Sequence, residues 1–434
     1  MNRWTVLRKV SNKYSKKISE LLDIIEFTDR IEKKYFSEKN IKDRVVIDKN
    51  SFEAKDIIVL DYYQTLLRER FDIRIPNRDM IINELLDIMP YLFKYKKATV
   101  FKFDFKDFFR SIDILKVLKL LEKESTLSFK EYRFIYNTYI QLPNISPGLG
   151  INNMLIEILG REFDEKVESL YYNNLIYYGR YVDDGILILD SSVTERSIRN
   201  NLMKVMKEVF GEKTTFNEEK VCFISLPSRL NFNEVINFLG YSFSYDYRAP
   251  STRYQKDKKK FTFGIATTKL EKEMEKIHRI IDEYQSTHKQ KLLENRLDIY
   301  FKRVAFYDQN DRCWKSIGFS RNYEQIKKMI EFDKELSKYK FSPYLNQETE
   351  KFLELKFLEE QFSNLPNQLV GQIKNQKFLS NLFHNKAVIL NPKIGLNYAR
   401  LSEYLRSCDI RISQRDSYQE LQRRFIGRLT EKNR

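Results

Sequence analysis

Apolar and polar positions divide the chain into stretches of helical and extended character. In residues 1–95, apolar side chains recur three and four positions apart, as they do in Ile18–Ile31, which is typical of helices that bury one face. The same spacing returns beyond Thr267 and continues through Glu348–Phe362 and Leu396–Leu405. The pattern therefore predicts a mainly helical N-terminal region and a helical C-terminal region.

The middle of the chain predicts strands as well as helices. The run TVFKFD, which ends at Asp104, is aromatic and β-branched and predicts a strand, and KDFFRSIDILKVLKLLEKE after it predicts one helix. Two prolines and two glycines between Leu142 and Gly150 predict a loop before a long helix. The run NLIYYGRYVDDGILILD is apolar on both sides of a polar centre, so it predicts a β-hairpin whose turn holds Asp183 and Asp184.

Beyond this hairpin the pattern predicts a helix over Val193–Phe210, a strand over Lys220–Ser225 and a second hairpin around Gly240. The stretch Tyr247–Lys260 is polar and basic, and a domain boundary is expected there because the helical pattern resumes at Thr267. The predicted order of elements is therefore strand, helix, helix, hairpin, helix, strand and hairpin.

The charge of the chain favours a polyanionic partner. Lysine and arginine total 77 against 61 acidic residues among 434, which gives a formal net charge of +16, and each phosphate contact made by such a surface releases counterions. Nucleic acid is the expected partner, although a lysine-rich surface without such a role would carry the same charge.

The cysteines and the hydropathy of the chain argue against a disulfide-rich protein and against a membrane-spanning protein. Cys222, Cys313 and Cys408 lie far apart, so neither a disulfide framework nor a close pair of metal ligands is predicted, and a reducing cytoplasm fits. The N-terminal sequence is charged throughout, and no apolar run reaches the roughly 18 residues of a membrane span. We therefore expect a soluble, cytoplasmic protein without a signal peptide.

Three aspartates combine into a candidate metal site. Asp104 ends a predicted strand, and Asp183 and Asp184 lie at the tip of a predicted hairpin, so adjacent strands would bring them to one sheet edge. Nucleotidyl transfer needs the attacking 3′-hydroxyl and the leaving pyrophosphate to be stabilised together, which a pair of Mg²⁺ ions held by carboxylates achieves. Aspartate is also common in turns and at helix N-caps, so the joint placement carries the prediction.

The residues around these aspartates carry a family resemblance. The string YVDD at positions 181–184, within GRYVDDGILIL, resembles motif C of reverse transcriptases, and FKFDFKDFFRSI around Asp104 resembles motif A. PGLGINNMLIEI, FNEEKV and INFLGYSF stand where motifs B, D and E belong. The resemblance covers roughly residues 70–270. It implies an α+β, right-hand polymerase with fingers, a palm with an antiparallel sheet and a thumb, followed by a helical C-terminal domain.

The resemblance implies roles for residues in the chemical step. Asp104, Asp183 and Asp184, together with Phe105, would bind two Mg²⁺ or Mn²⁺ ions. Lys220 in motif D would protonate or neutralise the departing pyrophosphate. A solvated surface lysine is the alternative for Lys220 in a chain so rich in lysine.

The resemblance also implies residues that bind the nucleotide. Phe109, just after the motif A aspartate, would exclude a 2′-hydroxyl and so select deoxynucleotides, unless it only packs in the core. Arginine suits triphosphate oxygens, and glycine lets the backbone approach a base closely, although such glycines also shape turns. The residues assigned to the nucleotide are Phe105, Phe109, Tyr181, Arg74, Arg78, Gly148 and Gly150.

Several departures from the motifs of reverse transcriptases limit the subfamilies that this sequence can resemble. Motif B lacks the usual proline-glutamine-glycine triplet and has PGLG at positions 147–150 instead, and three histidines are too few for an appended nuclease rich in histidine and cysteine. The C-terminal region lacks the carboxylate pattern of a ribonuclease H domain. The arrangement resembles bacterial abortive-infection and defence-associated reverse transcriptases, which act against phage, some with a partner noncoding RNA and some without a template.

This resemblance gives the expected organisation and partners. The partners are dNTPs, an RNA template or noncoding RNA and the DNA product, and the apolar periodicity of the C-terminal helices fits binding of RNA, another subunit or a second protein. Two alternatives stay open: template-independent or protein-primed DNA synthesis at the same site, and a non-catalytic RNA-binding scaffold. The predicted segments are the helical N-terminal and fingers region (1–95), the palm (96–250), the thumb (251–335) and the C-terminal helical domain (336–434).

Overall fold

Helices and mostly antiparallel strands alternate along the chain in a computed structural model, so the predicted mixture of helices and antiparallel sheets is confirmed. The chain forms two units: Met1–Ile81 with Tyr91–Arg229 make the first unit, and Ile82–Pro90 with Leu230–Arg434 make the second unit. The structure describes residues 3–41, 44–95, 97–226, 231–250, 258–301, 304–308, 313–363, 365, 367, 370–371, 379, 387–393, 395–413 and 415–430.

The first unit combines helices with a four-stranded sheet and a separate hairpin. Its helices are α1 (Arg3–Tyr14), α2 (Ile18–Glu26), α3 (Ala54–Arg70), α4 (Arg78–Ile88, which continues into the second unit), α5 (Phe108–Ser111), α6 (Ile114–Lys123), α7 (Phe129–Tyr139), α8 (Gly150–Tyr171) and α9 (Glu195–Val209). Its strands are β1 (Glu38–Ile41), β2 (Arg44–Ile47), β3 (Ala98–Asp104), β4 (Leu175–Tyr181), β5 (Asp184–Leu189) and β6 (Cys222–Leu226). Strands β1 and β2 pair with each other, and the sheet has the antiparallel order β4-β5-β3-β6.

Strand β3 lies inside this sheet and is covered on both faces. All seven of its residues are buried, which explains why TVFKFD shows no alternation of apolar and polar positions. Phe103 and Phe105 are two positions apart and therefore point to the same face. Both rings contact Phe163 of α8, with centroid distances of 6.4 and 5.6 Å. Helix α8 thus packs under the end of β3.

Two predictions for the first unit are corrected. The single helix expected after Asp104 is interrupted, because α5 ends at Ser111 and Asp113 begins α6 by accepting a hydrogen bond from the Leu115 amide at 2.9 Å. The mainly helical N-terminal region also contains the β1–β2 hairpin. The Ile47 amide of β2 donates to the Pro147 carbonyl at 2.8 Å, so a distant segment stabilises this hairpin and the local pattern does not show it.

The second unit holds several small sheets among helices. Its strands are β7 (Phe232–Phe238), β8 (Tyr241–Arg248), β9 (Lys258–Ile265), β10 (Val304–Asp308), β11 (Cys313–Ile317), β12 (Ile330–Asp333), β13 (Lys338–Phe341) and β14 (Ala387–Leu390). Its further helices are α10 (Thr267–Thr287), α11 (Gln290–Phe301), α12 (Phe319–Asn322), α13 (Gln347–Leu353), α14 (Glu359–Phe362), α15 (Tyr398–Ser407) and α16 (Tyr418–Thr430). The sheets have the orders β7-β8-β9, β11-β10-β14 and β12-β13. Among the described residues, no helix is both long and apolar enough to cross a membrane.

The second unit agrees with the pattern at its start and departs from it at its end. The hairpin predicted around Gly240 is confirmed as β7–β8, and the basic stretch before α10 adds β9, with residues 251–257 outside the described part. The C-terminal region is not purely helical, because β13 and β14 lie within it. Strand β14 pairs in parallel with β10, and such a long-range pairing leaves no short-range signal.

Candidate active site

The end of β3 and the start of β5 bring two aspartates side by side. Asp104 and Asp184 are cross-strand partners in the β3–β5 ladder. The Phe105 amide donates to the Asp183 carbonyl at 3.0 Å, so Asp183 is tied to the residue after β3. The three aspartates predicted from the sequence therefore lie together where β3 ends and β5 begins, at one edge of the four-stranded sheet β4-β5-β3-β6, called the central sheet below.

The turn between β4 and β5 is shifted by one residue from its predicted position. Tyr181 pairs with Asp184, so Val182 and Asp183 form a two-residue turn and Asp184 already belongs to β5. Val182 has a φ of 58°, which β-branched residues rarely adopt. The two adjacent aspartates thus have different backbone settings, one in a strained turn and one in a ladder.

The carboxylate of Asp104 is buried and engaged by two side chains. Lys220 Nζ lies 3.1 and 3.0 Å from its two oxygens, and Asn217 Nδ2 donates to one of them at 3.1 Å. The Asn217 amide also donates to the Asp104 carbonyl at 2.8 Å. Lys220 was predicted to begin a strand, but it ends the 3-10 turn Glu218–Lys220 that precedes β6.

Asp184 has a buried lysine as its cationic neighbour. Lys102 Nζ lies 3.6 Å from Asp184 Oδ1, and the lysine side chain is only 7% exposed. The same ammonium group donates to the Lys220 carbonyl at 2.9 Å. Lys102 is therefore a fixed positive charge between the aspartate cluster and the turn that carries Lys220.

Asp183 and Asp184 hold their protons more strongly than isolated aspartates do. Burial raises the pKa of Asp183; a backbone hydrogen bond and nearby cations oppose this rise, and the charge of Asp104 adds to it. Burial also raises the pKa of Asp184 to about 6, which Lys102 opposes and the other two aspartates reinforce. Burial of these two carboxylates is thus the main cost at this sheet edge, and an added cation would offset it.

The donor atoms at this edge suit a hard divalent cation in their chemistry. Carboxylate and backbone oxygens are the ligands that Mg²⁺ and Mn²⁺ prefer. Within the part of the chain that the structure describes, no three His, Cys, Asp or Glu side chains are already arranged to hold a metal ion. Because the oxygens of Asp104 face Lys220, a metal ion at Asp104 would have to displace this ammonium group.

The aromatic residues assigned to the nucleotide differ in what they expose. Phe105 is buried and its ring packs on Phe108 at a centroid distance of 4.8 Å, so its ring is not available to a ligand. Phe109 is half-buried and packs against the core of the first unit. Tyr181 is also half-buried, at the last position of β4.

The two glycines assigned to the nucleotide are packed against protein atoms. A Cβ at Gly148 would lie 3.0 Å from the Ile47 nitrogen, and the φ of Gly148 is 120°, a region that favours glycine. A Cβ at Gly150 would overlap the Gln64 side chain. Both glycines therefore pack closely against protein atoms, and their contact with a nucleotide stays a prediction.

Arg44, whose positive charge lowers the pKa of Asp183, is not among the arginines that the family resemblance assigns to the nucleotide. Arg74 is exposed and lies 3.6 Å from Asp72, and Arg78 lies 3.5 Å from its neighbour Asp79. Arg44, on β2, instead acts on the turn aspartate, where its positive charge is among the effects that oppose the burial-driven rise in pKa. Arg44 gave no signal in the sequence beyond its charge.

Two further residues of the site were missed. Lys102 is the one charged residue before Asp104 in the strand TVFKFD, and a lysine inside a buried strand signals a paired or functional charge. Asn217 lies in FNEEKV, the segment that resembles motif D, but nothing in its type or spacing predicted a contact with Asp104.

Comparison with known proteins yields distant structural similarity alone. No protein-family model matches the chain, and no curated protein matches it. Telomerase from Candida albicans in complex with a fragment of telomeric RNA is similar over 42% of this chain and 35% of its own, with a TM-score of 0.32 and 13% identity. Apo telomerase from Candida tropicalis truncated from its C-terminal domain is similar over 42% of both chains, with a TM-score of 0.31 and 14% identity. The chain thus spans well under half of either structure, and a likeness this distant leaves the function to the site itself.

Proposed function

We propose that this chain is a DNA polymerase of the reverse-transcriptase type that adds dNTPs to a growing strand. The observation that carries the proposal is the convergence of Asp104, Asp183 and Asp184, with raised pKa values at the adjacent pair, on one edge of an antiparallel sheet. Carboxylates kept together at an electrostatic cost are typical of a site that binds cations during its function.

The residues of the cluster divide the work in this proposal. Asp104 and Asp183 would hold two divalent cations, Mg²⁺ or Mn²⁺, with Asp184 and the Phe105 backbone in support. When bound, the cations would supply charge stabilisation for the attacking 3′-hydroxyl and the leaving pyrophosphate. Lys220, once released from Asp104, would donate a proton or a positive charge to the pyrophosphate.

The nucleotide would be held by groups around this edge. Arg44 offers a planar, permanently charged partner for triphosphate oxygens. Phe109 retains exposed surface on α5, immediately after the strand that ends at Asp104, and in this proposal it excludes a ribose 2′-hydroxyl. Deoxynucleotides are therefore the proposed substrates.

The first test measures incorporation by the purified full chain. Each labelled dNTP and rNTP would be supplied with Mg²⁺ or Mn²⁺, before and after co-purifying RNA is removed. We expect incorporation of dNTPs, lost by about 1,000-fold or more when Asp183→Asn is combined with Asp184→Asn. The matched control is Asp190→Asn, an exposed aspartate directly after β5, which should retain wild-type activity. Full activity in the double variant would contradict the proposal.

The same experiment separates the modes of synthesis. Activity that disappears with the RNA would indicate an RNA template or a noncoding RNA partner, and activity that persists would indicate template-independent synthesis. Product that resists denaturation and is released by protease would indicate a protein primer.

One observation favours the non-catalytic alternative, an RNA-binding scaffold. Both oxygens of Asp104 are engaged by Lys220, and Asn217 adds a further hydrogen bond, so the carboxylate is satisfied without a metal ion. Binding of RNA with no incorporation under either metal would select the scaffold.

The cellular role follows from the subfamily resemblance. We propose antiphage defence in the cytoplasm. Expression of the chain with its native flanking DNA should lower phage plating efficiency, and Asp183→Asn should abolish that protection. Protection that survives this substitution would separate the defence role from DNA synthesis.

A further inference from the structure

An arginine beside the catalytic hairpin contacts the turn itself. Arg180, on β4, is 5% exposed, and its Nη1 donates to the Val182 carbonyl at 2.8 Å. This carbonyl belongs to the residue with a φ of 58° that directly precedes Asp183. The guanidinium group is therefore bound to the backbone of the two-residue turn.

Two carboxylates of helix α8 accept hydrogen bonds from the other nitrogens of the Arg180 guanidinium group. Asp164 accepts from Nε at 2.7 Å and from Nη2 at 3.0 Å, and Glu157 accepts from Nη2 at 3.0 Å. These carboxylates are two helical turns apart and so lie on one face of α8. The Tyr178 hydroxyl also donates to Asp164 at 2.7 Å. A rigid, planar cation thus joins one helix to one turn.

A glycine on the same face leaves space for the guanidinium group. A Cβ at Gly160 would lie 2.2 Å from Arg180 Nη2. Glycine inside a helix is unfavourable relative to alanine, and the arginine gives a reason for its presence. Glu157, Gly160 and Asp164 are spaced three and four residues apart, so α8 presents a stripe shaped for this side chain.

We propose that Arg180 is a positioning residue for the catalytic aspartates. It fixes the Val182 carbonyl to α8, and with it the strained turn that places Asp183 next to Asp104. Without this contact the turn would relax towards a φ that suits valine better, and Asp183 would leave the cluster. The catalytic consequence rests on the proposed polymerase function, whereas the anchoring of the turn does not.

The test uses Arg180→Lys and Gly160→Ala in the full chain. Lysine keeps the charge that Glu157 and Asp164 need, but a single ammonium group cannot serve both helix carboxylates and the turn. Gly160→Ala leaves Arg180 in the sequence, but the added Cβ would push its guanidinium group away from α8. The matched control is Arg161→Lys, since Arg161 is an α8 arginine whose Nη1 donates to a different backbone carbonyl, that of Phe71, at 2.8 Å.

Two measurements are made on every variant. Hydrogen–deuterium exchange follows the amides of residues 181–185 against those of the rest of the central sheet, and steady-state incorporation gives kcat and KM separately. In both test variants we expect faster exchange confined to the turn, and a kcat about 100-fold lower with KM for the dNTP nearly unchanged. The control should match the wild type in both measurements.

The outcomes separate the two proposals. Turn exchange and kcat that equal the wild type in Arg180→Lys overturn the positioning role. Exchange that rises throughout the sheet with kcat unchanged also overturns it, because Arg180 would then act on stability alone. Faster exchange confined to the turn, in a protein whose wild type incorporates no nucleotide, supports the anchoring of the turn and overturns the polymerase proposal.

Discussion

At the scale of single residues, the buried charges of the aspartate cluster lower the free energy of unfolding. Replacing one aspartate by a neutral side chain should remove part of this destabilisation. Burial and the neighbouring aspartates raise the pKa of Asp184 to about 6. At about pH 8 the group is ionised in both states, and its charge destabilises the folded protein relative to the unfolded chain. We expect Asp184→Asn to raise the free energy of unfolding of the metal-free protein at that pH, by at most about 3 kcal/mol. Denaturant unfolding in the presence of a chelator measures this difference.

The sign of the pH dependence follows from the direction of the pKa shift. A carboxyl group whose pKa is higher in the folded state contributes stability that is full below the unfolded pKa and is lost as pH rises through about 6. The advantage of Asp184→Asn should therefore shrink between about pH 8 and pH 5. Asp190→Asn, at an exposed position after β5, is the matched control, and added Mg²⁺ should stabilise the wild type more than the Asp184 variant. An advantage that is constant over this pH range would contradict the expectation.

Arg44 gives a second prediction at the residue scale. Because its charge reaches Asp183, we expect Arg44→Ala to raise KM for the dNTP about 10-fold, with kcat little changed. Arg74→Ala is the matched comparison, since the family resemblance selects Arg74 while the structure leaves its side chain 89% exposed. A larger rise in KM for Arg74→Ala would show the resemblance to be the better guide. Steady-state kinetics on both variants decides between them.

At the scale of elements, the sequence predicted what depends on near neighbours along the chain. Strand β3, the β4–β5 hairpin and helix α8 were all predicted, because each has its own apolar pattern and its own turn residues. The ion pair between Lys220 and Asp104 was not, since it joins side chains more than a hundred residues apart. The one-residue shift of the turn was missed for a related reason: the ladder and the Arg180 contact decide which residues form it.

The loop before α8 gives a prediction at this scale. Gly148 combines a φ of 120° with close contact to the Ile47 backbone, so Gly148→Ala should weaken the contact between this loop and β2. We expect a loss of about 1–3 kcal/mol in the free energy of unfolding. Gly150→Ala should cost less, because the atoms it would meet are the flexible end of Gln64. Denaturant unfolding of both variants tests this order, and equal losses would contradict it.

At the scale of the whole molecule, the second unit combines Ile82–Pro90 with Leu230–Arg434, and local patterns along the chain do not predict such a combination. Helix α4 begins in the first unit and ends in the second. Within the second unit, the Tyr245 hydroxyl donates to the Met89 carbonyl at 2.8 Å, a contact across more than 150 residues of sequence. Hydrophobic periodicity reports which face of an element is buried, but not against which other element it is buried.

The net charge of +16 predicts contacts with nucleic-acid phosphates, and two basic residues of the second unit allow this prediction to be tested. Arg248 of β8 and Lys258 of β9 are cross-strand partners. Like charges directly opposite each other are unfavourable, and Asp246, 3.5 Å from Arg248 Nε, offsets one of the two charges. We therefore expect this pair to contact phosphates. Replacing both residues by glutamine should weaken binding of single-stranded RNA and reduce the slope of log K against log salt by about 1.4.

The control for this prediction removes the same charge from another hairpin of the second unit. Lys338 faces Asp333 across the β12–β13 hairpin, and Lys334 is the next residue along that turn. Lys334→Gln with Lys338→Gln should therefore leave the salt slope close to that of the wild type. If both double variants changed the slope equally, binding would depend on the total charge of the chain rather than on its arrangement. The β8–β9 pair would then have no separate role in RNA binding.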